Sequence, residues 1–221
     1  SPGIPIDHDL PVPFRKGKKR TTGEAELGCL FLRAPIVAAT GTNGKTTTVT
    51  MIDEIFRAAG ENSVACGNIG VPVVSCADKL GYGDIAVMEV TSFQLETLSS
   101  IRPHVAVVTN ITEDHLDRHY TMENYIFLKS KLLRNLRESE FAVLNYDDQT
   151  VRGFAKDLRC GIRWFSVRER VEGAYLYDGG LYFENEKITD AASLSLKGEH
   201  NLQNALAAIC AAKLMGAESG A

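Results

Sequence analysis

The thirteen residues Ile36-Val37-Ala38-Ala39-Thr40-Gly41-Thr42-Asn43-Gly44-Lys45-Thr46-Thr47-Thr48 constrain the fold more than any other part of this 221-residue chain. An apolar run of strand length enters a turn with two glycines, and a Lys-Thr pair opens a segment of helical periodicity. Glycine lets the backbone close tightly, so that N–H groups can face a common centre. The start of a helix adds unpaired donors and a partial positive charge. Together these features make a seat for phosphate oxygens. Lys45 is placed to reach the outer phosphates of a nucleotide, and the Thr46 hydroxyl is of the kind that ligates the magnesium travelling with them. The general pattern is G-x-x-x-x-G-K-[ST]. Here Ala39 stands at the first glycine position, so only the second half is intact. A tight turn with no ligand is the plain alternative, and Gly-Lys-Thr at a helix start argues against it.

From Pro35 onward strands and helices alternate. Strands are expected at 36–40, 63–66, 84–89, 105–110, 141–145 and 163–166. Helices are expected at 46–59, 93–98, 121–137 and 149–158, with a weak one up to Lys79. Short apolar strands alternating with helices predict an α/β fold, a mostly parallel sheet with helices on both faces. A change follows near residues 174–196. Ala174–Tyr177, Asp178-Gly179-Gly180 and Leu181–Glu184 read as a small antiparallel hairpin, with further strand character at 193–196. An Ala-rich helix over 201–215 closes the pattern. Before it all, four of the seven prolines (Pro2, Pro5, Pro11, Pro13) and the basic cluster Arg15, Lys16, Lys18, Lys19, Arg20 read as an extended, solvated linker with a short helix at 23–31.

In an open parallel sheet, ligands bind beyond the carboxyl ends of the strands. Three such ends are polar. The first is the phosphate loop. The second is Glu89, which closes Ile85-Ala86-Val87-Met88 and is followed by Val90-Thr91-Ser92-Phe93-Gln94. A carboxylate there is well placed to hold magnesium; a surface Glu where the strand emerges is the bland reading. The third is Asn110-Ile111-Thr112-Glu113-Asp114-His115-Leu116-Asp117. His115 among three acids points to metal or substrate, and spacing does not decide which acid faces the site. Lys129, one helical turn after Tyr125, reads on its own as a solvated helix lysine. Asn201 is expected to cap the last helix, with Asn204 one turn on; amide side chains can also pair with an adenine edge.

The net charge of −4 gives no reason to expect nucleic-acid binding. No apolar run is long enough for a membrane span. The five cysteines, at 29, 66, 76, 160 and 210, are odd in number and scattered, which argues against a disulfide framework or a zinc site and fits a reducing cytoplasm. No secretory leader is expected. The opening Ser-Pro-Gly and the closing Glu218-Ser219-Gly220-Ala221 are expected to be the cut ends of a longer protein.

The loop Thr40–Thr46, with Gly67-Asn68-Ile69-Gly70, Glu89 and Lys197-Gly198-Glu199-His200-Asn201, resembles the Mur ligases and folylpolyglutamate synthases, ATP-dependent amide-forming ligases. Glu89-Val90-Thr91-Ser92-Phe93-Gln94-Leu95-Glu96-Thr97 and Asn110–Arg118 narrow the resemblance to the Mur ligases that add D-glutamate. Ala39 is then a family trait. Thr91 stands where Ser is common, and the hydroxyl is kept. The resemblance implies that residues 1–33 are the tail of an N-terminal UDP-binding domain and linker. Residues 34–221 would be the central ATP-binding domain, with the C-terminal domain absent. It implies a cytoplasmic monomer that uses ATP and Mg2+ and takes a UDP-sugar peptide precursor and D-glutamate.

Residue by residue, Gly41, Thr42, Asn43, Gly44, Lys45, Thr46 and Thr47 would hold the ATP phosphates, and Asn201 and Asn204 would meet adenine. Thr46 and Glu89 would bind one magnesium and His115 a second. Lys129 matches the lysine that the family carbamylates, which would turn a cation into a metal-binding anion. Asn68, Thr91, Gln94 and His115 would contact the UDP-sugar. Lys45, Glu89, His115 and Lys129 would carry the catalysis. The competing expectations are another amide ligase of the same superfamily, a nucleotide-binding module with no turnover of its own, and a plain kinase.

Overall fold

Five consecutive buried residues, Ile36–Thr40, form the strand β1 at the centre of the sheet. Such a run has no solvent face, because helices cover both sides. In the computed structural model, which describes residues 4, 8, 9, 12–19 and 21–218, β1 lies between β3 (Ile85–Glu89) and β4 (Val105–Val108). The full order is β2 (Ser63–Gly67), β3, β1, β4, β5 (Phe141–Asn145), β6 (Gly161–Ser166), β7 (Gly173–Tyr177), β8 (Gly180–Phe183) and β9 (Glu186–Asp190). Pairing is parallel from β2 through β7 and antiparallel from β7 to β9. The chain leaves β1 on one side for β2 and β3, then crosses back over β1 to β4. The carboxyl edge of β1 is therefore a topological switch point, where open α/β sheets bind ligands.

Alternate residues of β1 feed two cores. Ile36 and Ala38 join Met88, Ala106, Val108, Tyr125 and Leu132 on one face. Val37 and Ala39 join Val87, Val107 and Phe165 on the other. The second face is covered by helices α3 (Lys45–Ala58) and α8 (Glu199–Leu214). From Asn204 to Ala212 every residue of α8 is buried. Its alanines let it lie close to the sheet and to α3 at once. The first face carries α2 (Glu24–Phe31), α4 (Ser92–Leu95), α5 (Leu116–His119), α6 (Met122–Ser130) and α7 (Gln149–Gly153). A five-residue helix, α1 (Val12–Lys16), precedes α2.

The mostly parallel sheet, the helices on both faces and the antiparallel hairpin all match the sequence expectation. Several elements differ. The helix expected over 121–137 ends at Ser130 and continues as a 3-10 turn, Lys131–Leu133. There the Ser130 hydroxyl donates to the Phe127 carbonyl at 2.8 Å, Lys131 reaches back to the carbonyls of Leu95 and Glu96, and the adjacent Leu132 and Leu133 are both buried. Gly153 likewise divides the helix expected over 149–158 into α7 and the 3-10 turn Phe154–Asp157. The third antiparallel strand is Glu186–Asp190, not 193–196. With charges at 186, 187 and 190, it is an edge strand whose alternation was too polar to read. The extended linker is partly helical, at α1. Pro2, Pro5, Pro11 and Arg20 of that reading, and the ends Ser1–Gly3 and Ser219–Ala221, lie outside the described residues.

Candidate nucleotide site

Gly44 adopts φ +82° at the N-terminus of α3, a conformation that strains any other residue, and a Cβ there would overlap the buried Asn204 amide. Gly41, at φ +151°, leaves room for the Thr109 hydroxyl in the same way. The loop is braced by the end of β4. Thr42 N–H donates to the Asn110 carbonyl at 2.8 Å, and Asn43 N–H to Asn110 Oδ1 at 2.9 Å. The Asn43 carbonyl accepts from Thr109 Oγ1 at 2.7 Å and from Asn110 Nδ2 at 3.0 Å. Asp148 accepts from Ile111 N–H at 2.8 Å, which fixes the next residue of that segment. The loop carbonyls point inward to lysines: Lys45 Nζ donates to Thr42 at 2.8 Å and Lys129 Nζ to Gly41 at 2.7 Å. The N–H groups of the first turn of α3 have no intrahelical acceptor and are left for an anion.

Glu89 ends β3 with only 1% of its surface exposed. Its two oxygens are shared: Oε2 accepts from Thr46 Oγ1 at 2.7 Å, and Oε1 accepts from Asn68 Nδ2 at 2.7 Å. Asn68 N–H also donates to the Glu89 carbonyl at 3.0 Å, so the turn after β2 is latched to the end of β3. Lys129 is 1% exposed, which overturns its reading as a solvated helix lysine. Burial, and then repulsion from Lys45, push its ammonium down to about 7 against the pull of Asp114 and Glu89. Burial lowers Lys45 as well, opposed by Glu89 and Asp114.

The structure therefore joins Gly41–Thr46, Asn68, Glu89 and Lys129 in one bonded network. His115 lies at its rim, exposed, with Nε2 3.4 Å from Asp114 Oδ2 and its ring 4.8 Å from Phe93. Of the three acids around it, Asp114 is thus the one it meets. Thr91 and Gln94 form a capping box on α4: Thr91 Oγ1 accepts from Gln94 N–H at 3.2 Å, and Gln94 Oε1 accepts from Thr91 N–H at 2.9 Å. Asn201 does not cap α8. That helix starts two residues earlier, after Gly198 at φ +103°, and Asn201 Nδ2 donates to the Lys197 carbonyl at 2.9 Å. Asn204 is buried behind the loop, accepting from Thr48 Oγ1 at 3.4 Å. Sequence reasoning missed Thr109 as the brace of the loop, and Tyr125, whose hydroxyl meets Thr42 Oγ1 at 3.2 Å. It also missed His119, buried against Ser92. A polar residue at a strand exit is the signal that could have found Thr109; nothing local points to the other two.

Thr46 and Glu89 offer hard oxygen donors beside the loop expected to seat phosphate, the set that suits magnesium, which takes one or two carboxylates and fills the rest of its sphere with phosphate and water. Among the described residues no three His, Cys, Asp or Glu side chains converge on a point, so there is no ready-made protein cage for a metal. No helix among them is long and apolar enough to cross a membrane.

The model of the Mur ligase middle domain matches residues 39–212. A UDP-N-acetylmuramoylalanine--D-glutamate ligase from Pelotomaculum thermopropionicum is 46% identical over 99% of this chain and 49% of its own length. The enzyme of the same name from Thermoanaerobacter pseudethanolicus is 42% identical over 98% and 49%. The chain thus spans about half the length of the curated relatives it matches. Among solved structures, a UDP-N-acetylmuramoyl-L-alanyl-D-glutamate--2,6-diaminopimelate ligase superposes with a TM-score of 0.71 at 24% identity, over 87% of this chain and 46% of the other. A UDP-N-acetylmuramate:L-alanyl-gamma-D-glutamyl-meso-diaminopimelate ligase from Neisseria meningitides gives 0.66 at 20%, over 96% and 72%. At that identity the two structures speak for the fold alone.

Proposed function

The chain belongs to the Mur ligase family, and on that premise we propose that it is the ATP-binding part of a ligase that joins D-glutamate to UDP-N-acetylmuramoyl-L-alanine. The observation that carries this reading is the Glu89 carboxylate, buried at the switch point and shared between Thr46 of the phosphate loop and Asn68. It ties the nucleotide seat to the turn where the resemblance sets the UDP-sugar.

A carboxylate is a poor electrophile for an amine. Transfer of the γ-phosphoryl group of ATP makes an acyl phosphate, the amine attacks its carbonyl carbon, and phosphate leaves. Lys45, released from Thr42, holds the outer phosphates, and the first turn of α3 directs its N–H groups at them. Thr46 and Glu89 would hold a magnesium ion, which when bound neutralises phosphate charge. Lys129, held near neutrality in a buried site, presents an amine able to add CO2 and become a carbamate; with His115 it would then face a second metal. Thr91 and Gln94 set the start of α4, against which the acceptor lies. Relatives are about twice as long, so turnover is assigned to a protein of their length, and nucleotide and magnesium binding to this chain.

The test is phosphate release from ATP by a full-length form and by this chain, with and without UDP-N-acetylmuramoyl-L-alanine and D-glutamate. Release by the full-length form only when both are present, with one amide formed per phosphate, is expected. Release that ignores either substrate, or a phosphorylated product with no amide, refutes the reading. Binding without release by this chain alone agrees with it. With isotope-labelled bicarbonate, a carbamate 13C resonance that disappears in Lys129→Met is the mark of the modification.

A further inference from the structure

Of the five histidines only His119 is buried, and the chemistry just described gives it no task. It closes α5, a single helical turn flanked by two residues at positive φ, His115 at 52° and Tyr120 at 66°. Residues other than glycine stay in such conformations only where surrounding contacts over-determine them. Here those contacts converge on Arg118 and His119. The imidazole Nε2 lies 2.9 Å from the Ser92 hydroxyl at the start of α4, and Nδ1 lies 3.7 Å from Glu96 Oε1 just past its end. The Glu96 carboxylate also accepts two hydrogen bonds from Arg118, at 2.9 and 2.7 Å. From α6, Asn124 Nδ2 donates to the His119 carbonyl at 3.0 Å, and the Tyr125 ring sits 5.4 Å from the imidazole. Phe93 lies against both histidines, 4.8 Å from His115 and 5.5 Å from His119, with the Arg118 guanidinium 4.8 Å from its ring centre.

We infer that His119 is a positioning residue: through Ser92 and Glu96 it locks α5 onto α4 and so holds His115 in its strained conformation at the rim of the site. One imidazole thereby sets α4, α5 and α6 relative to one another, the segments that carry Thr91, His115 and Lys129. The inference rests on the proposed function only in naming what His115 serves. The placement of His115 can be tested without nucleotide or metal.

The experiment is side-chain NMR of this chain. The Phe93 ring displaces the His115 ring protons from their ordinary shifts. Ser92→Ala removes one partner of His119 and leaves the imidazole in place. His119→Leu removes the Ser92 hydrogen bond and the polar contact with Glu96, and His119→Gln puts an amide where Nε2 was. The displacement is expected to shrink in Ser92→Ala, vanish in His119→Leu and survive in His119→Gln, with the amide signals of β1, β3 and β5 unmoved. His115 signals in Ser92→Ala identical to the parent's would overturn the inference, whether or not His119→Leu folds. In a full-length ligase, Ser92→Ala should lower kcat by about tenfold and leave the KM for ATP within about twofold. An equal loss in both would mean general loosening of the site and would also overturn it. An NMR response as expected in a protein with no ligase activity supports the positioning and counts against the proposed function.

Discussion

Replacing Lys129 by Met should make the stability of this protein nearly independent of pH where the parent's is not. The parent amine sits at about 7 in the folded state against an ordinary 10.5, so between those values the unfolded chain holds a proton that the folded chain has released. Stability rises with pH wherever the unfolded state binds more protons. For one such group the rise approaches ~1.4 kcal/mol per pH unit, and integrating from pH 6 to pH 9 gives roughly 3 kcal/mol. The cost of the buried cation is fully present below pH 7 and is removed as pH climbs toward 10.5. Methionine keeps the apolar stem and carries no charge, though it gives up the 2.7 Å bond to the Gly41 carbonyl. That bond is worth ~1–3 kcal/mol, less than the ~4–5 kcal/mol cost of the charge at pH 6, so the variant should be the more stable of the two there. Urea unfolding of both proteins at half-unit intervals from pH 6 to pH 9, in magnesium-free buffer stripped of CO2, measures this. The difference between parent and Lys129→Met should move steadily in favour of the parent. A flat difference would refute the claim that Lys129 is buried beside Lys45 as a depressed amine.

Lys45→Ala should leave the circular dichroism spectrum unchanged and lower phosphate release by the full-length form by about a hundredfold or more, since a positioned cation at the phosphates is lost. Gly44→Ala should destabilise by ~1–3 kcal/mol in urea unfolding and weaken nucleotide binding, because φ +82° strains the new side chain and Asn204 fills its space. Glu26→Gln should cost ~1–3 kcal/mol at neutral pH. Its buried carboxylate accepts from Ser99 N–H, Ser99 Oγ, Ser100 N–H and Ser100 Oγ at 2.7–3.0 Å, an arrangement that fastens α2 to the loop before β4. Burial raises that carboxyl, the four hydrogen bonds outweigh it, and the net shift is downward. Its contribution is therefore present above the ordinary glutamate range and fades as pH falls through the folded value, a loss the Gln variant should not show.

What could be read in the amino-acid order was what is encoded locally. The four-residue apolar runs that open β1, β3 and β5 lie where periodicity set them, because a strand covered on both faces leaves no polar position before its end to confuse the pattern. Gly44-Lys45-Thr46 made the proposed phosphate seat legible, because the glycine conformation, the helix start and the hydroxyl all act within four residues. The acid at 89 and the polar exit from Asn110 onward followed from strand ends. Longer-range relations were not written in any window. Lys129 looks like any helix lysine until α6 lays it under Gly41, 88 residues away in sequence, in a space from which water is excluded. His119 carries no signal on a four-residue helix, and acquires one only when Ser92 and Glu96, from another strand end, close around it. Asn204 read as an amide one turn after Asn201, and the packing of α8 against α3 is what buries it behind Gly44. The sequence alone thus determined the apolar strands and the glycine-rich loop proposed to seat phosphate. Which lysine, which histidine and which amide are buried depended on the crossing at β1, because burial and charge coupling arise between segments the chain brings together only in three dimensions.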